Sequence, residues 1–508
     1  MLEHDKKIRD IISLIIEAGY QIDREAFEFL KQISDKVDLN SLVENVIEEI
    51  NALPEKPLLI TREILEKRIS EEDLSGKTTT HELTGKAALQ LYAKNVEADF
   101  KIISDPTNEI SATGSLEDCI EYFRSRFRKI SRILRRRADA KDAGNITDAL
   151  RAPENSKIKI ICMVIDKRET RRGIFFKVED LEAQATVFVP LEKQDIYSKA
   201  QAILLDQVIC VSAVRGRNDL LIAEDLILPD VPLKKPNKSS IPICAVLLSD
   251  LHVGSKMFME KEFKHFIRWL RGEVGGNNLR DLAARVKYLV IAGDIVDGVG
   301  IYPQQFEELE IKDLYKQYEK AAEMLEDVPD HIEIIIIPGN HDATRRALPQ
   351  PAILREYAEP LYELDRVHLL GDPSVISLHG VRILLSHGRS LDDIISSVPN
   401  LSFQAPDEAM KILLRCRHLA PIYGMRTLIA SEKVDHLVID EVPDIFHAGH
   451  VHMMKYSTYR GILVVNSGAW QEQTEYQKEM GHVPNPGIVP VVNLQTLQVF
   501  PINFTSIA

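Results

Sequence analysis

Hydrophobic positions change period along the chain, and each change predicts a different architecture. Over residues 116–137 apolar side chains recur every three or four positions (Leu116, Ile120, Phe123, Phe127, Ile130 and Leu134), the stripe of an amphipathic helix. From 157 to about 230 the pattern breaks into five strand-like runs: KIKIICMVIDKRE, GIFFKVED, ATVFVPLEK, VICVSAVRGR and LLIAEDLIL. Turns at Arg171-Arg172-Gly173 and Gly216-Arg217-Asn218-Asp219 and a Tyr197-centred helical stretch part them, which suits a five-stranded barrel of the OB type. Beyond a Pro/Lys/Ser linker at 231–240, the runs AVLL, YLVIA, IEIIIIP, VRILL and DIFHA carry no alternation. Unbroken runs of this length suit strands buried on both faces. Residues 260–290 and 305–328 read largely as helices between them, so the fold class expected of the last half is layered α/β.

The N-terminus reads as short helices that need one another's apolar faces. Ile8, Ile11, Ile12, Leu14, Ile15 and Ile16 crowd a first one; Asp23 caps a second through Phe27, Phe29 and Leu30; Asp38 caps a third through Leu42, Val43, Val46 and Ile47; Thr61 begins a fourth. A docking module and a plain extension both fit this bundle. From Ser75 to Ala93 the chain turns polar, and Gly76-Lys77-Thr78-Thr79 lacks the earlier glycine and the preceding strand of a phosphate loop. The expected organisation is a helical module over 1–75, a linker over 76–156 carrying the helix 116–137, a barrel over 157–235 and the α/β domain over 241–508.

Length and charge narrow the picture. The 508 residues exceed one core, and no apolar run approaches a membrane span. With no signal pattern in MLEHDKKIRD, a cytoplasmic protein with no membrane contact is expected. Five scattered cysteines, none in a C-x-x-C pair, read as small buried hydrophobes. A net charge of −14 does not advertise a nucleic-acid binder, so any DNA contact falls to local basic patches or to a partner. The helix 116–137 carries such a patch in Arg124, Arg128, Arg132, Arg135 and Arg136, beside Arg126, Lys129 and Arg137. A solvated face, a phosphate-backbone patch and a surface for an acidic partner all fit it. The barrel aromatics Phe175, Phe176, Phe188 and Tyr197 fit core packing or stacking on single strands.

The candidate chemistry lies behind the apolar runs of the last half. Ser249-Asp250-Leu251-His252, Gly293-Asp294-Ile295-Val296-Asp297, Gly339-Asn340-His341-Asp342, Ser386-His387-Gly388 and Gly449-His450-Val451-His452 each follow one run. Polar residues at the carboxyl ends of several strands build a crevice, where open α/β sheets bind ligands. Asp250, His252, Asp294, Asn340, His387, His450 and His452 offer oxygen and imidazole nitrogen and no thiolate. That set suits two divalent ions, with Mn²⁺, Fe²⁺ and Zn²⁺ all fitting the ligands. One ion would take Asp250, His252 and His452, the other Asn340, His387 and His450, with Asp294 bridging. Two ions about 3.5–4 Å apart activate water and clamp a phosphate for in-line displacement.

In order and motif for motif, D-x-H, G-D-x-x-D, G-N-H-D, H and G-H-x-H resemble the calcineurin-like metallophosphoesterases, over roughly residues 241–508. The resemblance implies layered β-sheets flanked by helices. It makes His341 the group that protonates or stabilises the leaving oxygen, and Asp297 the residue that orients it, as in the family's phosphatases. Asp342 is expected to hold its loop, His447 to lie in the core or behind the ligands, and Trp470 to be a lid or a core anchor on the return strand that closes the site. A helical module, a barrel and such a domain in this order resemble the small subunits of replicative DNA polymerases, the archaeal family D subunits most of all. VEADFKIISDPT and VNSGAWQEQTEYQKEMGHVPNPG are similar to the latter. What this resemblance implies is a 3′→5′ exonuclease that proofreads mispaired primer ends, with primer 3′ ends and single-stranded DNA as substrates. The large catalytic polymerase subunit would be its partner. A free-standing metallophosphatase and a non-catalytic scaffold subunit are the alternatives.

Overall fold

The computed structural model describes residues 92–479 and 481–506, and before them positions 11, 12, 14, 15, 18, 20–33, 39, 42, 43, 46, 47, 50, 59–62, 64 and 65. The helix Arg24–Ile33 starts where the sequence places its cap: Asp23 accepts from the Ala26 amide at 2.6 Å. Ile11, Ile15, Leu30, Val43, Val46 and Leu65 share one small core. The expected roles of Ile8, Ile16 and Asp38, and the Gly76-Lys77-Thr78-Thr79 stretch, lie outside the described residues.

The expected linker over 76–156 needs correcting beyond its helix. Tyr92–Asn95 is a 3₁₀ turn, and Phe100–Ser104 (β1) is an edge strand of the α/β half. Its residues beyond Phe100 are exposed on both faces, so it carries no alternation by which the sequence could announce it.

The barrel closes as β2 (Lys157–Thr170), β3 (Gly173–Glu179), β4 (Gln184–Pro190), β5 (Val208–Arg215) and β6 (Leu220–Ile227), in the order β2-β3-β4-β6-β5. Alternate residues face inward, among them Ile160, Cys162, Ile174, Phe176, Val187 and Val211. Gly173 makes the tight β2–β3 turn possible, because a Cβ there would stand 2.1 Å from the Val189 carbonyl oxygen. The four barrel aromatics divide: Phe176 and Tyr197 are buried, whereas Phe175 and Phe188 pair at 4.5 Å on the outer face.

In the last half, β7 (Cys244–Leu248), β8 (Val286–Ala292), β9 (Glu333–Ile337) and β10 (Val367–Leu369) run parallel. There follow β11 (Ser374–Leu378), β12 (Val381–Leu385), β13 (Ile445–Ala448), β14 (Lys455–Tyr459), β15 (Ile462–Asn466), β16 (Ile488–Asn493) and β17 (Val499–Asn503). They form two six-stranded sheets, β10-β9-β8-β7-β16-β17 and β14-β15-β13-β12-β11-β1. The lack of alternation now has its cause. Ala245, Leu247, Val290 and Ile335 face the other sheet's Ile383, Leu385, Ile445 and Val465. Val246, Leu248, Leu289 and Ile336 lie under outer helices such as Glu260–Leu270 and Leu314–Glu326. Leu384, Phe446 and Val464 of the second sheet are covered by Leu391–Ser397 and Pro406–Cys416. Among the described residues no helix is long and apolar enough to cross a membrane, and all five cysteines are free, four of them buried.

The helix Leu116–Arg135 forms where expected, but its buried face is turned from the apolar stripe. Asp118, Tyr122, Arg126, Ile130 and Leu134 are buried, while Leu116 and Ile120 are exposed. The cause is Arg126, whose side chain is wholly buried between the barrel and the α/β half. Its Nε donates to Asp435 at 2.9 Å, Nη1 to the Pro421 carbonyl at 2.6 Å and Nη2 to the Tyr122 hydroxyl at 2.7 Å. Burial opposes the Asp435 charge, but His418 and Arg126 outweigh it and hold the carboxyl well below the usual range. The sign follows: this stabilisation is complete above about pH 4 and lost as the pH falls further. Ile130 and Leu134 pack on Ile161, Val208 and Cys210 of the barrel and on Val438. Arg124, Arg128, Arg132, Arg135 and Arg136 stay exposed, the first two beside Glu121 at 2.9 and 3.3 Å.

Arg126→Ala strands the Asp435 charge and is expected to cost about 3–5 kcal/mol. Arg124→Ala, on the solvent side, should stay within about 0.5 kcal/mol. Urea midpoints that are equal for the two variants would show that the buried network does not tie the halves together.

Candidate metal centre

The seven nominated residues arrive from the carboxyl ends of five strands. Asp250 and His252 follow β7, Asp294 follows β8, Asn340 follows β9, His387 follows β12, and His450 and His452 follow β13. Five of them hold left-handed backbone: Asp250 (φ 53°), His252 (54°), Asp294 (52°), His450 (69°) and His452 (56°). Such residues cost about 1–2 kcal/mol each and persist only where the surroundings over-determine them. Here main-chain bonds between loops do so: Asp250 N–H donates to the Gly293 carbonyl at 2.9 Å, His252 N–H to Asp294 at 3.1 Å and Gly449 N–H to His387 at 2.9 Å.

The side chains converge through atoms able to ligate a metal. His252 donates from Nδ1 to Asp297 Oδ1 at 2.9 Å, which leaves a bare lone pair on Nε2. That nitrogen lies 3.1 Å from His452 Nε2, 3.9 Å from Asp250 Oδ1 and 3.8 Å from Asp294 Oδ2. His387 donates from Nδ1 to the Ala292 carbonyl at 2.8 Å, and its Nε2 faces Asn340 Oδ1 at 3.0 Å and Asp294 Oδ2 at 3.3 Å. Asp250 Oδ1, fully buried, has no hydrogen-bond donor at all. Buried carboxylates and imidazoles crowded on one point, with Asp250 Oδ1 lacking any donor, ask for a cation. Asp250, His252 and His452 make one group that could hold an ion, and Asp250, Asp294 and His387 another. Asp294 Oδ2 stands between them. Burial opposes charge on His387, but Asp294 and Asp250 lift its pKa to about 10, another sign that the site's field favours a positive charge.

His450 stands apart from these groups. Its Nε2 faces Asp392 Oδ2 at 3.3 Å, and its ring is 5.2 Å from that of His387. His341 lies at the edge, half-buried, with Nε2 4.0 Å from Asp294 Oδ2. Asp297 serves these histidines otherwise than the sequence suggests. Its carboxylate takes His252, while its main-chain carbonyl accepts from His341 Nδ1 at 2.7 Å. Gln305 donates to the other carboxylate oxygen of Asp297, Oδ2, and Gln471 to Oδ1 beside His252, each at 3.0 Å. Asp342 holds its loop, accepting from the amides of Gly339 and Ile295 and from the Tyr318 hydroxyl. His447 is buried against Ser467, and Trp470 is a core anchor packed on Phe263 and Phe266. Sequence reasoning missed Asp392, Gln305 and Gln477, the last of which pairs with His452 Nδ1 at 3.0 Å. None of the three sits in a recurring pattern with the residue it supports.

A cavity of about 470 Å³ opens over the group. Its floor includes His252, Asp294, Asn340, His341, His450 and His452. The long segment 390–442 contributes Asp392, Ser396, Phe403 and Arg426 to the walls, so it shapes access to the centre.

Three glycines make the convergence possible by lacking a side chain. A Cβ on Gly293 would lie 2.6 Å from the Gly339 nitrogen, one on Gly339 2.1 Å from Asp294 Oδ1, and one on Gly449 2.4 Å from the Ser249 side chain. Each immediately precedes a nominated ligand. Gly339→Ala is therefore expected to destabilise the chain by about 1–3 kcal/mol through overpacking. Gly144→Ala, whose Cβ would meet only one atom at 3.9 Å, should stay within about 0.5 kcal/mol. Equal thermal midpoints would refute the steric account.

Comparison with known proteins places this geometry in a family. The family model for the B-subunits of DNA polymerases alpha and epsilon matches residues 245–458. The DNA polymerase II small subunit of Methanothermobacter thermautotrophicus is 39% identical over 487 residues, 96% of this chain and 98% of that protein. That of Archaeoglobus fulgidus is 39% identical over 475 residues, 93% of each. That of Pyrococcus furiosus is 43% identical over 386 residues, 76% of this chain and 63% of that longer protein. At this identity over nearly the whole length, the chain belongs to the family of archaeal DNA polymerase II small subunits.

Proposed function

We propose that this chain is the proofreading subunit of an archaeal family D replicative polymerase. It would hydrolyse mispaired primer 3′ ends with two divalent ions, Mn²⁺ for preference, while a large catalytic subunit carries synthesis. The last half would be its calcineurin-like domain and the barrel of OB type. The observation that carries the reading is the convergence of ligating nitrogens and oxygens from Asp250, His252, Asp294, Asn340, His387 and His452 on one buried point, where Asp250 Oδ1 has no hydrogen-bond partner. A scaffold subunit has no use for such a cluster, since burying it costs stability. Bound there, divalent ions would activate water and neutralise phosphate charge.

The chain's own residues supply the rest. His252 is fixed in one tautomer by Asp297, itself held by Gln305 and Gln471, which keeps Nε2 aimed at the centre. His341, with Nδ1 on a main-chain carbonyl, presents Nε2 toward the cavity. When protonated it would deliver that proton to the departing 3′ oxygen as water adds to phosphorus and the P–O3′ bond breaks, releasing a nucleoside 5′-monophosphate. A frayed mismatched end enters at lower unpairing cost than a paired one, which gives selectivity without reading the base. The exposed Arg124, Arg128, Arg132, Arg135 and Arg136 would add phosphate contacts along the helix.

Digestion of a 5′-labelled single-stranded oligonucleotide with Mn²⁺ tests the reaction. A ladder shortening from the 3′ end is expected, slowed about 10²–10⁴-fold in His341→Ala. Asp294→Asn should abolish it together with retained metal after gel filtration. Undiminished digestion by both variants would sink the assignment. Charge reversal of Arg132 and Arg136 should weaken single-strand binding and flatten its salt dependence by roughly 0.7 per lost phosphate contact; an unchanged slope would remove the helix from the DNA path.

A further inference from the structure

The metal-binding side chains do not explain the upper part of the cavity. A phosphate ester needs cations and a proton donor, yet the walls include aromatic and aliphatic side chains, Tyr302, Phe403 and Val451 among them, with Arg389 and Arg426. At about 470 Å³ the space suits one small organic ligand, about 300–1,000 Å³ being usual.

Phe403 is held as a wall. Its ring meets that of His482 edge-on, centroids 5.6 Å apart and planes at 70°. The two segments are tied beside them: Gln404 donates to the Val483 carbonyl at 3.4 Å, and Gln473 to the His482 carbonyl at 2.7 Å. The His482 segment is in turn fixed to the nominated ligands, because the Asn485 amide donates to the His452 carbonyl at 3.1 Å. Phe403 is half-buried, so part of its ring remains open to the cavity. Arg389 comes two residues after His387, and its Nη1 donates to the Arg346 carbonyl at 2.6 Å. Arg426 is exposed at the mouth. A planar apolar wall, a nearby cation pair and a centre suited to phosphate make a set of contacts matched to one nucleotide.

We propose that Phe403, braced by His482, is the stacking surface for the unpaired 3′-terminal base, with Arg389 and Arg426 toward the adjacent phosphate. This rests on the nuclease reading and adds to it a binding subsite. The base is held by its π-face, so any of the four is accepted, and a base still paired in a duplex does not reach the wall.

The test is a ratio within each protein. The full-length chain with Mn²⁺ is given two single-stranded oligonucleotides, one ending in a normal nucleotide and one in an abasic sugar. Wild type should cleave the base-bearing end about tenfold faster or more, from the worth of one stacking contact. Phe403→Leu, which keeps apolar volume but no ring, should bring the ratio close to one, and Phe403→Trp should restore it. With EDTA present, so that nothing is cut, the same pattern is expected in dissociation constants from fluorescence anisotropy. A ratio near one in wild type, or a preference that survives Phe403→Leu, overturns the subsite and leaves the nuclease standing. A wild type inert on both ends overturns the nuclease reading and the subsite with it.

Discussion

Buried carboxylates and imidazoles that crowd together across the carboxyl edges of two sheets are the constraint on which the rest of the α/β half depends. His252 Nε2 and His452 Nε2 stand 3.1 Å apart, and His387 Nε2 faces two oxygens within 3.3 Å. Without positive charge between them the arrangement is unfavourable, and it also requires five residues in left-handed backbone. Something must hold it. The strands do so by being apolar on both faces, so that their register is set by burial on either side. Their ends are then delivered as rigid points. Gly293, Gly339 and Gly449 let those ends touch. The site's cost in strain and desolvation is thus met by the packing beneath it.

The same logic of paired burial joins the barrel to this half. Arg126 leaves the helix Leu116–Arg135 for a pocket lined by Tyr122, Asp435 and the Asp206 and Pro421 carbonyls, and each of its three nitrogens donates to a partner there. A guanidinium satisfied in this way fixes geometry more than it adds stability, since a well-packed apolar group could fill the same volume. What it fixes is the angle of the helix. With Arg126 turned inward, Arg124 and Arg128, two residues to either side, face solvent, and the helix becomes a cationic ridge on an otherwise acidic chain. Asp435 lies in the segment 390–442 that also walls the cavity, so one segment links the ridge to the candidate centre.

Much of this was legible in the sequence, for identifiable reasons. Strands buried on both faces announce themselves as unbroken apolar runs, and the polar residue after each run lies where the chain leaves the sheet. All seven nominated residues were chosen by that rule; six of them turn toward one another, and His450 stands apart beside Asp392. The helix 116–137 was legible in extent but not in phase, because hydrophobicity counts an arginine as solvent-facing and cannot know of Asp435, which lies 309 residues away. β1 was illegible because an edge strand exposed on both faces has no period. Asp297 shows the limit within the site itself. Its spacing from Asp294 marks it as functional, but whether its carboxylate turns to His341 or to His252 depends on Gln305 and Gln471, which no local pattern connects to it.

That limit bears on substrate choice. An Asp three residues after Asp294, as in the phosphatases that the motifs resemble, leaves the choice of substrate open from sequence alone. The geometry adds a constraint. With its carboxylate committed to His252, Asp297 acts on His341 through a main-chain oxygen that any residue would offer. The side chain therefore supports the metal-facing histidine rather than selecting a leaving group. On the proposed function, discrimination between esters would come from the walls, where binding energy from parts of the substrate remote from phosphorus can be spent on positioning it. Those walls belong to the segments around Tyr302, Phe403 and His482, outside every ligand motif, so the chemistry would be set by five short clusters and the substrate by the chain between them.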